Sequence, residues 1–236
     1  MQLYNKISIS PGIIKYHSQD SGSSVLFTQN QIVKSTLMLL LPLLQKTTLN
    51  TPTINALSLH TTLAPAALSN KDLLSVHCFN HQPLLQFYHE ITPITDTVSL
   101  VTSLPEELLD TCFQVFKIMN LKSSNAIFIK KCLQHTLAGQ RIVSLHIHNG
   151  CFEIAITDDT QLIFYSICHF NNTEEFSYYL LFYFEKTNTP CTQTILKLTG
   201  EISTASPIYD ICKKYVKRLQ IGLDATCTDV RFEVLL

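Results

Sequence analysis

The sequence predicts an α/β chain of two lobes, each a mixed βββαβα sheet with helices, and an inserted α+β region in the first half. Three observations predict it. Between Arg141 and Cys168, three strand-like runs follow one another across tight-turn signals. A helix dense in aromatics comes next, then a strand ending at Gly200 and an amphipathic helix. A weaker copy of the same order opens the chain.

In the second half, Arg141–His148 puts Val143, Leu145 and Ile147 on one face and Ser144, His146 and His148 on the other. Asn149 and Gly150 both tolerate positive φ and suit a two-residue hairpin turn. Cys151–Thr157 returns with Phe152, Ile154 and Ile156 on one face and Glu153 opposite them, where lining a cleft or an exposed strand position explains it equally. Asp158, Asp159 and Thr160 form the next turn, which explains the two carboxylates without any catalytic role. Gln161–Cys168 is nearly all apolar, as a strand covered on both faces is. Asn172 is placed to cap a helix over 173–186, with Glu175 as its capping-box partner. From Phe176 to Phe184 that helix is apolar almost all round, so it is expected to be enclosed. Gln193–Thr199 reads as a strand, and Ser206-Pro207 opens a helix whose Ile208, Ile211, Cys212, Tyr215 and Val216 make one stripe.

The first half repeats the pattern without repeating the residues. Lys6–Ser10, Ile13–Tyr16 and Val25–Thr28 are short β-like runs separated by Pro11-Gly12 and by 20–23. A helix is expected over Gln31–Lys46, capped by Thr28 and Gln31, then a strand around Ile54–His60. The insert spans roughly Thr61–Thr136 and holds strands at Leu84–Ile91 and Val98–Ser103, a helix opening at Pro105 and another through Phe128 and Leu133. Met119–Asn125 is the expected hinge. The domains so read are 1–120, the first lobe with its insert, and 121–236, the second lobe.

Of 236 residues, 46% are hydrophobic and 15% charged, enough apolar material for a core and against disorder. The net charge of −1 carries no basic footprint for nucleic acid. Lys213, Lys214, Lys217 and Arg218 read as the solvated, dipole-matched end of a helix. The opening residues lack the order of a signal peptide, and Leu37–Leu44, broken by Pro42, is too short to span a bilayer. The eight cysteines are therefore expected as free thiols in a cytoplasm. Cys78/His81 and Cys132/His135 have C-x-x-H spacing, but they lie in apolar runs and not in Gly-rich knuckles. His146 and His148 share a strand face and could chelate a metal weakly, but are expected to face a solvated groove.

Leu162–Ser166, Thr173–Phe176, Tyr178–Phe182, Leu198–Glu201, Ser206, Tyr209 and Lys214-Tyr215 together resemble DUF3822, an uncharacterised family of Bacteroidota. Thr62–Pro65 with Leu68 is similar to that family's motif before the insert. The resemblance covers roughly Ile54 to Ile221. It implies the actin-like, RNase H-like two-lobe fold of proteins such as PilM and FtsA, a bacterial cytoplasmic setting, and no particular activity. Active actin-like ATPases end the first strand of each lobe on an Asp before a glycine turn, where the carboxylate holds Mg²⁺ and backbone amides cradle phosphate. Here Ser10 and His148 stand at those positions. Pro11 also removes an amide donor, and the glycine pair against the adenosine is reduced to Gly200-Glu201. Gly12, His148, Asn149, Gly150 and Gly200 are what is left of a nucleotide site.

The sequence thus points to a non-catalytic module without cofactor or metal, acting by binding another protein through the surfaces and groove of the fold. No nucleic-acid partner and no membrane insertion are expected, and neither the partner nor the oligomeric state is specified. The alternative is a divergent nucleotide-binding or ATPase-like enzyme that uses His148, Asn149 and Gly150 at phosphate.

Overall fold

The computed structural model describes residues 6–10, 13–17, 23–26, 53–81, 87–116, 120–148 and 150–222. The expected helix over Gln31–Lys46 lies outside these residues. In chain order the first elements are β1 (Lys6–Ser10), β2 (Ile13–His17), β3 (Ser23–Leu26), β4 (Thr53–Ala56), β5 (His60–Pro65), α1 (Asn70–His81), β6 (Phe87–Pro93), β7 (Val98–Pro105), α2 (Glu106–Phe116) and β8 (Asn120–Ser123). There follow α3 (Ser124–Gln134), β9 (Arg141–His148), β10 (Cys151–Asp158), β11 (Gln161–His169), α4 (Thr173–Lys186), β12 (Ile195–Gly200), α5 (Pro207–Tyr215) and β13 (Arg218–Ile221). The chain divides into two compact units, Met1–Ile127 and Phe128–Leu236.

The two large sheets share one topology. In the first unit the order is β3-β2-β1-β4-β8, with β1, β2 and β3 antiparallel and β4 parallel to both β1 and β8. In the second it is β11-β10-β9-β12-β13, with the same three antiparallel and two parallel members. The duplication read from the sequence is therefore present at the level of strand order. Each copy has a fifth strand that the sequence pattern did not reveal. The Met119–Asn125 stretch expected as a hinge carries β8, paired with β4. Arg218, expected at the end of a basic helix, opens β13, because α5 stops at Tyr215. Both are four-residue edge strands, too short for alternation to show, and each pairs in parallel with a partner distant in sequence.

Between β4 and β8 the first unit carries a three-stranded antiparallel sheet in the order β5-β7-β6. Leu73 of α1 packs there against Ala64 and Val101. Helix α1 was not legible because its apolar and polar residues do not segregate to one face. It starts on a local cap, with Ser69 Oγ accepting from the Asp72 amide at 3.3 Å and donating to its carboxylate at 2.6 Å. Leu109 of α2 meets Leu104 and Ala56, joining this region to the first sheet.

In the second unit, Val143, Leu145 and Ile147 of β9, Phe152, Ile154 and Ile156 of β10, and Leu196 and Leu198 of β12 form one apolar face beneath α4 and α5. Phe176, Leu180 and Phe184, at i, i+4 and i+8, are the buried stripe of α4. Asn172 caps it as expected, its Oδ1 accepting from the Glu175 amide at 2.8 Å. The Glu175 carboxylate reaches one residue further back than a capping box, to the Asn171 amide at 2.9 Å. Ser206 makes no side-chain cap to α5, which relies on Pro207 in its first turn. Helix α4 is not enclosed all round: Tyr178 is 63% exposed and Phe182 43%.

The six described cysteines, Cys112, Cys132, Cys151, Cys168, Cys191 and Cys212, are free thiols. Burial pushes Cys112, Cys132, Cys151 and Cys212 up from 9.0 to about 12. These groups hold their protons in the folded chain at pH values where the unfolded chain has lost them. The stability they contribute is complete below 9.0 and is lost as pH rises toward about 12. We predict that, of these six, a thiol reagent near neutral pH labels half-buried Cys168 and Cys191 first. The other four should react only on unfolding, and the melting temperature should fall steadily on the alkaline side.

Candidate functional site

Alternation along β9 and β10 fixes what lies opposite the apolar face. Registers His146↔Glu153 and His148↔Cys151 between these strands, and His146↔Thr199 and Ser144↔Lys197 between β9 and β12, place a set of polar side chains together. The sequence suggested a solvated groove here. The structure instead covers this face: His146 is 3% exposed, His148 7% and Glu153 1%, with Lys197 and Thr199 also buried. Helix α3 supplies part of the cover. The Phe128 ring lies 5.7 Å from that of His146, and the Cys132 thiol hydrogen-bonds Ser144.

A covered polar layer has to satisfy itself internally. His148 Nε2 lies 3.0 Å from Glu153 Oε2, and the Tyr165 hydroxyl donates to Glu153 Oε1 at 2.7 Å. Thr199 donates its hydroxyl proton to the Leu145 carbonyl at 3.0 Å, so at 2.9 Å it accepts from His146 Nδ1–H. That network puts a proton on Nδ1 of His146. The His146 and His148 rings meet edge to face with centroids 4.3 Å apart. Lys197 Nζ donates to the His135 carbonyl at 2.9 Å. The ligand atoms of His146, His148 and Glu153 all lie within 4.8 Å of one another. Two imidazoles and a carboxylate at that spacing can hold a proton or a metal ion.

The residues singled out from the sequence fall in several places. Gly12 and Asn149 lie outside the described residues. His148 ends β9, turned to Glu153. Gly150 sits in the β9–β10 turn at φ +72°, where its carbonyl accepts from the Phe170 amide at 3.0 Å. Gly200 ends β12 at φ +91°, where a Cβ would meet the Ile147 carbonyl oxygen at 2.1 Å. The Glu201 amide bonds that same oxygen at 2.8 Å, so closeness to β9 accounts for the glycine. Asp158 and Asp159 do belong to a hairpin turn: Asp158 pairs with Arg141, and Asp159 accepts from the Gly139 amide at 3.2 Å. Of the C-x-x-H pairs, the Cys78 and His81 side chains lie outside the described residues.

Sequence reading missed the partners Tyr165, Lys197 and Thr199, and a second buried polar group in the first unit. There Ser103 on β7 receives His89 Nδ1 at 2.7 Å and also bonds His77 Nε2, while His77 Nδ1 lies 2.9 Å from Thr62. This group ties α1, β5, β6 and β7 together. The only sequence signal for either cluster is a polar residue inside an otherwise apolar strand.

Substitution should separate the two glycines. Gly150→Ala meets nothing nearer than the Phe170 oxygen at 3.9 Å and should cost about 1–2 kcal/mol for the left-handed backbone alone. Gly200→Ala adds a backbone collision and should cost more than about 3 kcal/mol. Glu153→Ala, which strips His148 and Tyr165 of their buried acceptor, should cost roughly 3–5 kcal/mol. Urea unfolding followed by circular dichroism reads all three.

Comparison with curated proteins gives no match. Among solved structures, the chain is similar to a Bacteroides thetaiotaomicron VPI-5482 protein with actin-like ATPase fold and unknown function. The identity is 14%, the TM-score 0.78, and the alignment covers 94% of this chain and 91% of that one. A PilM–PilN type IV pilus biogenesis complex matches at 9% identity and TM-score 0.65, over 94% of this chain and 88% of that one. The cytoplasmic domain of EpsL, an inner membrane component of the type II secretion system of Vibrio cholerae, matches at 7% and 0.50, over 91% and 94%. At these identities the likeness concerns the fold, and the repeated sheet topology is that of the actin-like ATPase fold. A model of the family described as protein of unknown function (DUF3822) matches residues 25–219, and the chain belongs to that family.

Proposed function

We propose that this chain is a non-catalytic protein-binding module of the actin-like fold, working in the bacterial cytoplasm. The observation that carries this reading is the open face of α4. Tyr178 and Phe182 stack there with ring centroids 6.3 Å apart and planes at 18°, both exposed to solvent. Tyr179 lies edge-on to Tyr178 at 5.3 Å. Stacked aromatics left open at the centre of a helix are the anchor type that protein interfaces favour, because a rigid ring buries much area at little entropic cost. A packed core has no use for them on that side.

Three further points support the reading. The position where an active relative of this fold holds a metal-binding carboxylate is His148, whose ring is engaged with buried Glu153. Gly200 is spent on the approach of β12 to β9. A structure of similar fold was solved as a protein–protein complex, PilM with PilN. For the compartment, the free thiols suit a reducing interior, and among the described residues no helix is long and apolar enough to cross a membrane.

Two measurements test the proposal. In affinity capture from the native host, the wild-type chain should retain a specific protein that a Tyr178→Ser/Phe182→Ser variant, equally folded, loses by about tenfold or more, the scale of a hot-spot loss. Identical captured sets would contradict the role of this face. Millimolar Mg-ATP should leave the melting temperature unchanged, whereas binding at a hundredfold excess over Kd would stabilise by about 2.7 kcal/mol. An ATP-specific shift would move the nucleotide-binding reading, with His148 and Gly150 at phosphate, to the front.

A further inference from the structure

We propose that His146, His148 and Glu153 bind a divalent cation of the zinc class. The donor types decide the class. Two imidazoles and a carboxylate suit zinc and its late first-row neighbours, whereas magnesium and calcium take oxygen ligands. A tetrahedral ion at ordinary zinc–ligand lengths needs ligand atoms about 3.3 Å apart. Those of the three residues already lie within 4.8 Å of one another, so small rotations about the terminal side-chain torsions close the set.

The partners that orient metal ligands are in place as well. Thr199 accepts the His146 Nδ1 proton and so fixes the aim of that ring. Tyr165 holds Glu153 through Oε1, on the side away from His148. Hydrogen bonds of this kind fix the tautomer and the aim of a ligand. His148 Nε2 and Glu153 Oε2, joined at 3.0 Å through one proton, are the two atoms that the cation bridges in its place. That proton leaves to solvent as the cation binds.

The ligands come from β9 and β10, interior strands of a five-stranded sheet, so the backbone holds them rigidly. All three are buried, so the ion is acquired as the unit folds and staples the two strands. This inference is independent of the protein-binding reading, which rests on the opposite side of the sheet.

The test uses the full chain, expressed separately in zinc-replete and cobalt-replete medium, desalted, and analysed by mass spectrometry of its metals and by visible spectroscopy. The expected result is about one metal per folded chain, with cobalt d–d bands and no thiolate-to-cobalt charge transfer. Thr199→Val, which removes the partner of His146 and the hydroxyl donor to the Leu145 carbonyl, should weaken the metal roughly 10–100-fold, and His148→Gln should abolish stoichiometric binding. A wild-type chain that is folded by circular dichroism yet free of metal in replete medium overturns the proposal. So does a thiolate band, or full metal content in folded His148→Gln. The wild-type cobalt spectrum decides the matter even where His148→Gln fails to fold.

Discussion

The second unit depends on a single constraint: β9 is buried on both faces although its sequence alternates between apolar and polar. On one side Val143, Leu145 and Ile147 disappear beneath α4 and α5 by ordinary hydrophobic burial. On the other, Ser144, His146 and His148 are equally shut away from bulk solvent. Everything on that side follows from this. Thr199 must take the His146 proton, Glu153 must face His148, and Tyr165 must occupy the remaining carboxylate oxygen. Each of these groups costs free energy to bury and gains it back only in the presence of the others. The layer is accordingly an all-or-none feature that pins the register of β9 against β10 and β12.

On the reading proposed above, the same constraint distinguishes this chain from an ATPase of similar fold. A nucleotide site needs carboxylates and backbone amides turned toward solvent and phosphate. Here the end of β9 turns its side chain inward, and the end of β12 uses its glycine to admit the Ile147 carbonyl. Among the described residues, α4 directs the aromatic rings of Tyr178 and Phe182 outward. On the proposed reading, it is the surfaces of the fold that carry function.

Much of this was legible in the sequence. Alternation and turn chemistry gave β9, β10 and β11 nearly to the residue, because Gly150 and the Asp158–Thr160 turn punctuate strong patterns. The cap at Asn172 placed α4. The short partners were not legible: β8 and β13 carry four residues each and exist only because a remote parallel neighbour offers hydrogen bonds. The site was half visible. Its residues could be assigned to one face, but whether that face met water depends on α3, whose Phe128 and Cys132 cover it, and no local pattern encodes that contact. For the same reason Tyr178 and Phe182 read as core: composition shows that a residue is apolar and not which neighbour arrives to bury it.

The most direct test of this account is the state of the two imidazoles in solution. Long-range nitrogen–proton correlation spectra of the folded chain report ring tautomer, and solvent exchange reports closure. The account predicts that His146 is in the Nδ1–H tautomer with a ring proton that exchanges slowly, because Thr199 accepts it inside a closed layer. Rapidly exchanging rings, with His146 in the Nε2–H form preferred by solvated histidine, would show an open groove and contradict the claim that this face is sealed and self-satisfied.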